Sequence, residues 1–93
     1  MDTVQLDGQA LDAVTFPTQN TKILVIRAPH GLLGCGYLSA ETAAKVGDAL
    51  AIVSGVSNYE DMFQASVKAV SPAAEALGVR SGMTGREALL KLQ

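Results

Sequence analysis

The chain contains one histidine and one cysteine, and the two lie five positions apart in a glycine-rich segment. His30 can take up a proton, and Cys35 can act as a nucleophile once its thiol is deprotonated. Gly31, Gly34 and Gly36 permit tight turns and leave backbone N–H groups open to a ligand or an oxyanion. The segment therefore supports two hypotheses, a Cys/His-dependent enzyme for acyl transfer or thiol chemistry and a small-ligand site that includes these three glycines.

The same residues also fit a purely structural subunit. Free cysteine is most often a small buried hydrophobe, and no carboxylate in the sequence is identifiable as the group that orients His30. The run from Gly34 to Ser39 reads G-x-G-x-x-S and lacks the third glycine of a dinucleotide fingerprint, so dinucleotide binding is not expected. On this third hypothesis, the glycines let neighbouring strands or subunits approach closely.

A second candidate site lies near the carboxyl terminus. The segment from Thr84 to Glu87 matches the Ser/Thr-x-x-Glu capping box, which predicts that a helix begins there. A helix start with Thr84, Gly85 and Arg86 could bind the phosphate or carboxylate of a small anionic ligand. The alternative is an ordinary capped helix whose arginine pairs with an acidic side chain of this chain or of a neighbouring subunit.

Composition excludes several classes of function. The 93 residues contain 7 basic and 9 acidic side chains and no basic run, which argues against nucleic-acid binding. The apolar stretches are too short to span a bilayer, so no membrane partner is expected. One His and one Cys cannot complete a closed zinc site, and no metal is predicted. The sequence indicates no particular cofactor, and the lone thiol suits a reducing compartment, so we expect a cytoplasmic protein.

Strand signals dominate the first 38 residues. Asp7-Gly8 is a hairpin signal between two strand-forming segments. The strongest strand contains four consecutive apolar residues, which predicts that both of its faces are covered. The predicted strands are Val4–Leu6, Leu11–Phe16, Lys22–Arg27 and Leu32–Leu38.

Helix signals follow in the second half of the chain. Ser39, Asn58, Ser71 and Thr84 each stand where a helix N-cap is preferred. Short apolar runs between these caps predict one or two further strands, Leu50–Val53 and Val67–Val70. Antiparallel strands and hairpins followed by short helices interleaved with strands indicate an α+β fold in a single small domain that spans residues 1–93.

Three sequence segments together resemble the YunC-like family, a domain of unknown function (1805). They are His30-Gly31 with Cys35-Gly36, Ala73-Ala74-Glu75 with Leu77-Gly78, and the stretch from Gly82 to Lys91. The resemblance implies an α+β fold whose amino-terminal β-region, residues 1–38 here, drives homo-oligomerisation to a tetramer, and it implies no established activity.

The composition points independently toward an oligomer. With 48% hydrophobic residues, so small a chain cannot easily bury all of its apolar surface in its own core. A subunit interface is the simplest way to bury the remainder. The expected partners are therefore further copies of this chain, together with a small molecule or a protein.

Overall fold

The computed structural model describes residues 1–93 and shows one six-stranded sheet whose strands are arranged in chain order. The first four strands are antiparallel, the fifth is parallel to the fourth, and the sixth is antiparallel to the fifth. The strands are β1 (Asp2–Leu6), β2 (Gln9–Pro17), β3 (Lys22–Ala28), β4 (Gly31–Gly34), β5 (Leu50–Ile52) and β6 (Ala69–Val70). The predicted α+β fold with mainly amino-terminal strands is confirmed.

The first hairpin follows from its turn residues. Asp7 and Gly8 both have positive φ, 48° and 84°, as a tight two-residue hairpin turn requires. This turn sets the register in which Leu6 pairs with Gln9 and Val4 pairs with Leu11. Paired residues share a face, so the register directs the apolar side chains of both strands toward the core.

Each of the four helices begins at a residue that the sequence marks as a cap. They are α1 (Ala40–Val46), α2 (Tyr59–Gln64), α3 (Pro72–Ala76) and α4 (Gly85–Leu92). The side chains of Ser39, Asn58 and Thr84 each accept a hydrogen bond from a backbone N–H in the first turn, which confirms these three caps. The Ser71 side chain makes no capping bond, because its hydroxyl accepts from the N–H of Leu50 and donates to the carbonyl of Asp48. The longest helix has 8 residues, and none combines the length and apolarity that crossing a membrane requires.

Three predicted strands are shorter in the structure, and the one expected over Leu50–Val53 loses only its last residue. The strand expected over Leu32–Leu38 ends at Gly34, because the chain turns and the N–H of Leu38 donates to the carbonyl of Cys35. The strand expected over Val67–Val70 keeps only its last two residues. The N–H of Val67 donates to Met83 of a loop instead of to a neighbouring strand.

The two faces of the sheet are covered unequally. Helices α2, α3 and α4 contribute side chains to the large core on one face, which α4 reaches with Ala88, Leu89 and Leu92. On the other face, α1 packs on β5 through a small cluster of Ala43, Leu50 and Ile52. No helix covers this second face over β1, β2 and β3.

The uncovered side of β2 and β3 is apolar, and we call it the open face. Its centre consists of two cross-strand pairs, Val14 with Val25 and Phe16 with Ile23. Phe16 is 66% exposed and Val14 is 39% exposed, whereas Val25 is partly buried and Ile23 is partly buried and also packs against the large core. The prediction that both faces of β3 are covered is therefore not met within one chain.

Candidate functional site

His30 and Cys35 lie at opposite ends of β4, His30 just before the strand and Cys35 just after it. At about 3.3 Å per extended residue, their Cα atoms are roughly 16 Å apart. No hydrogen bond joins the two side chains. The structure therefore does not assemble them into a nucleophile and base within one chain.

Cys35 belongs to the core. It is 6% exposed, and its Sγ accepts a hydrogen bond from the N–H of Leu24 at 3.3 Å. Its own N–H donates to the carbonyl of Leu24 at 3.0 Å. A thiolate nucleophile has to be reachable by its substrate, so this burial favours the structural interpretation of Cys35.

His30 is exposed and bonded to the end of α4. Its Nδ1 donates to the carbonyl of Gln93 at 2.7 Å, and its backbone N–H donates to the carbonyl of Leu92 at 2.9 Å. A carbonyl can only accept, so Nδ1 carries a proton. Nε2 makes no hydrogen bond within the chain.

An open cleft of about 770 Å³ lies beside this imidazole, and we call it the His30 cleft. It is bordered by the turn between β3 and β4, by the carboxyl-terminal ends of α1 and α3, and by the start of β5. Its lining consists of Arg27, Ala28, Pro29, His30, Gly31, Leu32, Gly47, Asp48, Ala49, Ala73, Ala76 and Leu77. Of the predicted site residues, His30 and Gly31 meet here.

The glycines of the segment serve close packing at two of three positions. A Cβ on Gly31 would stand 2.7 Å from the carbonyl oxygen of Ala49, and one on Gly34 would overlap the side chain of Leu38. A Cβ on Gly36 would meet only Ser54, at 3.6 Å, an ordinary contact. The predicted close approach of a neighbouring segment is therefore found at Gly31, whereas the close neighbour of Gly34 is the side chain of Leu38 in the turn that follows β4.

Thr84, Gly85 and Arg86 are all engaged within the chain. Thr84 and Glu87 form the reciprocal capping box, with hydrogen bonds of 2.9 and 3.1 Å. Gly85 is buried, and a Cβ there would overlap the carbonyl of Met62. Arg86 forms an ion pair with Asp7. It lies in the first turn of α4, whereas His30 contacts the last residue of that helix, so the two do not form one site.

Tyr59 forms a polar cluster that no sequence pattern indicates. Its hydroxyl donates to Asp2 at 2.6 Å and accepts from Thr15 at 2.9 Å. Burial, together with the bond to Asp2, raises the pKa of Tyr59 above its ordinary value of 10.0. The three residues lie 44 and 57 positions apart in the chain, so only the fold brings them together.

Asp48 is the cleft residue that sequence reasoning missed. It directly follows Gly47, which ends α1 in the left-handed conformation. A carboxylate at a helix carboxyl terminus is electrostatically unfavourable, and that position was the available signal.

Comparisons with known proteins agree on one family. A family model described as a domain of unknown function (DUF1805) matches residues 34–92, more than half of the chain. The uncharacterized protein YunC of Bacillus subtilis (strain 168) is 33% identical in an alignment 93 positions long that covers 96% of this chain and 92% of that protein. The crystal structure of a protein of unknown function, TA1206 from Thermoplasma acidophilum, matches with a TM-score of 0.93 and 33% identity over 99% of this chain and 90% of that one. The chain therefore belongs to the DUF1805 family.

Proposed function

We propose that this domain is the subunit of a homo-oligomer and that copies associate through the open face. One observation carries the proposal. Phe16 is 66% exposed and Val14 is 39% exposed, side by side on a sheet face without a helix. Contiguous apolar surface of this kind marks an interaction site, because leaving it in water forgoes the free energy of its burial.

A second copy is the partner that the chemistry of this face fits best. Beside the apolar centre, Asp12 and Arg27 form a cross-strand ion pair at 2.7 Å, and both side chains remain more than half exposed. A face that contains an apolar centre and both signs of charge can meet its own copy across a two-fold axis, with each acid opposite a base.

The proposed assembly is a tetramer, as the family resemblance implies. A tetramer with two-fold axes needs a second contact in addition to the open face. Strand β1 offers one, because it is the edge of the sheet and pairs only with β2. An unpaired edge presents backbone donors and acceptors to another strand.

The proposal separates assembly from ligand binding. The open face is assigned to other copies of the chain, and the His30 cleft is the surface assigned to a small molecule. Arg86 is already paired with Asp7 and Cys35 is buried, so neither is assigned a ligand. The free thiol of Cys35 fits the reducing cytoplasm, which is the proposed location.

Molar mass in solution tests the proposal. Size-exclusion chromatography with light scattering is expected to give four times the chain mass of 9.6 kDa. A dimer would contradict the tetramer and leave only one of the two proposed contacts in use. A species that stays at 9.6 kDa at micromolar concentration would overturn the proposal.

A further inference from the structure

We propose that two copies meet through the open face about a two-fold axis that runs along the strands, midway between β2 and β3, and that the Asp12–Arg27 ion pair determines which copies can pair. This inference rests on the proposed self-association and adds the orientation of the two copies, which exposure alone leaves open. About this axis, each residue of a cross-strand pair lies opposite its own neighbour in the other copy. The facing residues are Asp12 with Arg27, Val14 with Val25, and Phe16 with Ile23.

The ion pair lies where a second copy on the open face has to cover it. Asp12 and Arg27 face each other across β2 and β3, roughly 7 Å along the strands from the Val14–Val25 pair. Their side chains are 52% and 59% exposed, and the Arg27 guanidinium donates one hydrogen bond, to Asp12. Covering this position removes water from the other N–H groups of the guanidinium, which then need a second acceptor. The Asp12 carboxylate of the other copy is an acceptor of the required charge.

Charge complementarity determines the direction of the axis. Only an axis along the strands brings each acid of the ion pair opposite a base of the other copy. An axis across the strands that is centred on the apolar residues would place Asp12 over Phe16 and Arg27 over Ile23. Centred on the ion pair instead, it would set Asp12 opposite Asp12. Both of these arrangements bury a charge without a counter-charge, which is strongly unfavourable.

Helix α1 favours the same axis for a steric reason. It packs on β5, on the side of the sheet that carries the open face. Packed sheets lie about 10 Å apart, and a helix is about 10 Å wide, so the layer between two sheets has room for one helix at any point. An axis across the strands lays β5 over β5 of the other copy and brings both α1 helices to the same point.

An axis along the strands avoids this collision. It exchanges the two sides of the sheet, so that β3 lies over β2 of the other copy and β4 lies over β1. Strand β1 is the edge of the sheet, so β5 and its helix come to lie beyond that edge, clear of the contact. Charge and shape therefore point independently to one arrangement.

Mixing the wild type with a charge-exchanged chain tests the inference. The variant Asp12→Arg/Arg27→Asp keeps the composition and an ion pair within the chain, but it presents the reversed charges to another copy. We expect it to associate with itself like the wild type. Opposite a wild-type chain, it sets acid against acid and base against base, so such mixed pairs should be at least about tenfold weaker.

Native mass spectrometry detects the mixed pairs. Isotope-labelled wild type and unlabelled variant are unfolded together in urea and refolded. Because the contact at β1 does not involve these charges, we expect tetramers with an even number of labelled chains and none with an odd number; in a sample of dimers, mixed dimers should be missing. Odd label counts at their binomial share would overturn the proposed axis. A wild type that stays monomeric would overturn the self-association itself.

A matched control exchanges two charges on the helix-covered side of the sheet. Glu60→Lys/Lys91→Glu reverses an exposed acid of α2 and an exposed base of α4, and neither residue takes part in an ion pair. Refolded with labelled wild type, this control should give all label counts at their binomial share. A lack of odd counts in the control as well would contradict the role of Asp12 and Arg27.

The two single variants provide an independent measurement. Asp12→Arg places two bases at this position and Arg27→Asp places two acids, so each should associate with itself at least about tenfold more weakly than the wild type. An equimolar mixture of the two should regain association and contain pairs with one chain of each kind. Circular dichroism shows whether each variant is folded. A mixture of folded variants that associates no more tightly than either alone would overturn the proposal.

Discussion

Replacing Phe16 with lysine should weaken association of the chain without unfolding it. Phe16 is 66% exposed on the open face, so its ring contributes little to the core of its own chain. Lysine keeps a flexible stem on the strand and places a hydrated charge where the ring of another copy is expected. The monomer should therefore remain folded while the interface loses apolar contact.

The expected change in the dissociation constant follows from the exposed fraction of the Phe16 side chain. Complete burial of a Phe side chain is worth about 1.5–3 kcal/mol. Since 66% of Phe16 is still exposed in the single chain, about 1–2 kcal/mol remains available for association. A two-fold interface contains the residue twice, which gives about 2–4 kcal/mol and raises the dissociation constant about 30- to 700-fold.

Sedimentation velocity over a range of protein concentrations measures this constant. The matched control is Val46→Lys, because Val46 is 67% exposed and lies at the end of α1, outside the open face. The control should associate like the wild type, and far-ultraviolet circular dichroism should show both variants folded. Equal weakening by both substitutions, or none by Phe16→Lys, would refute the assignment of the open face.

Three further predictions concern the core and the polar cluster. The Cys35 thiol should react with iodoacetamide at least about tenfold more slowly in the native protein than in urea, and rapid native alkylation would revive the enzyme hypothesis. Gly85→Ala should cost about 3 kcal/mol or more of unfolding free energy, because the new Cβ overlaps the Met62 carbonyl, whereas Gly36→Ala should change it by less than about 0.5 kcal/mol. Because the pKa of Tyr59 is raised in the folded state, its contribution to stability is complete below pH 10.0 and is lost as the pH rises through the folded-state value. Urea unfolding on either side of pH 10.0 should therefore show a smaller loss of stability for Tyr59→Phe than for wild type, and equal losses would contradict this linkage.

Features that depend on a few neighbouring residues could be predicted from the sequence. The hairpin at Asp7-Gly8 and the caps at Ser39, Asn58 and Thr84 depend on side chains within three positions of the backbone groups that they affect. Local hydrogen bonding decides where such turns and helices begin. Once these boundaries are placed, the order of strands and helices along the sequence predicts the α+β class.

Features that depend on distant contacts could not be predicted in the same way. The strand after His30 ends at Gly34 because Leu38 folds back against that glycine, and a run of apolar residues does not reveal such a turn. The bond from His30 to Gln93 joins residues 63 positions apart, so the position of His30 beside the end of α4 and the cleft next to it emerge only from the fold. The spacing of His30 and Cys35 suggested proximity, whereas an extended strand separates them.

The contact between copies is tested most directly by isotope-filtered NMR on a mixture of labelled and unlabelled chains. We expect intermolecular nuclear Overhauser effects from the Phe16 ring protons of one copy to the Val14 or Val25 methyl groups of another. An associated sample in which every Phe16 effect is intramolecular, while intermolecular effects arise from a different surface, would contradict the open face as the site of self-association.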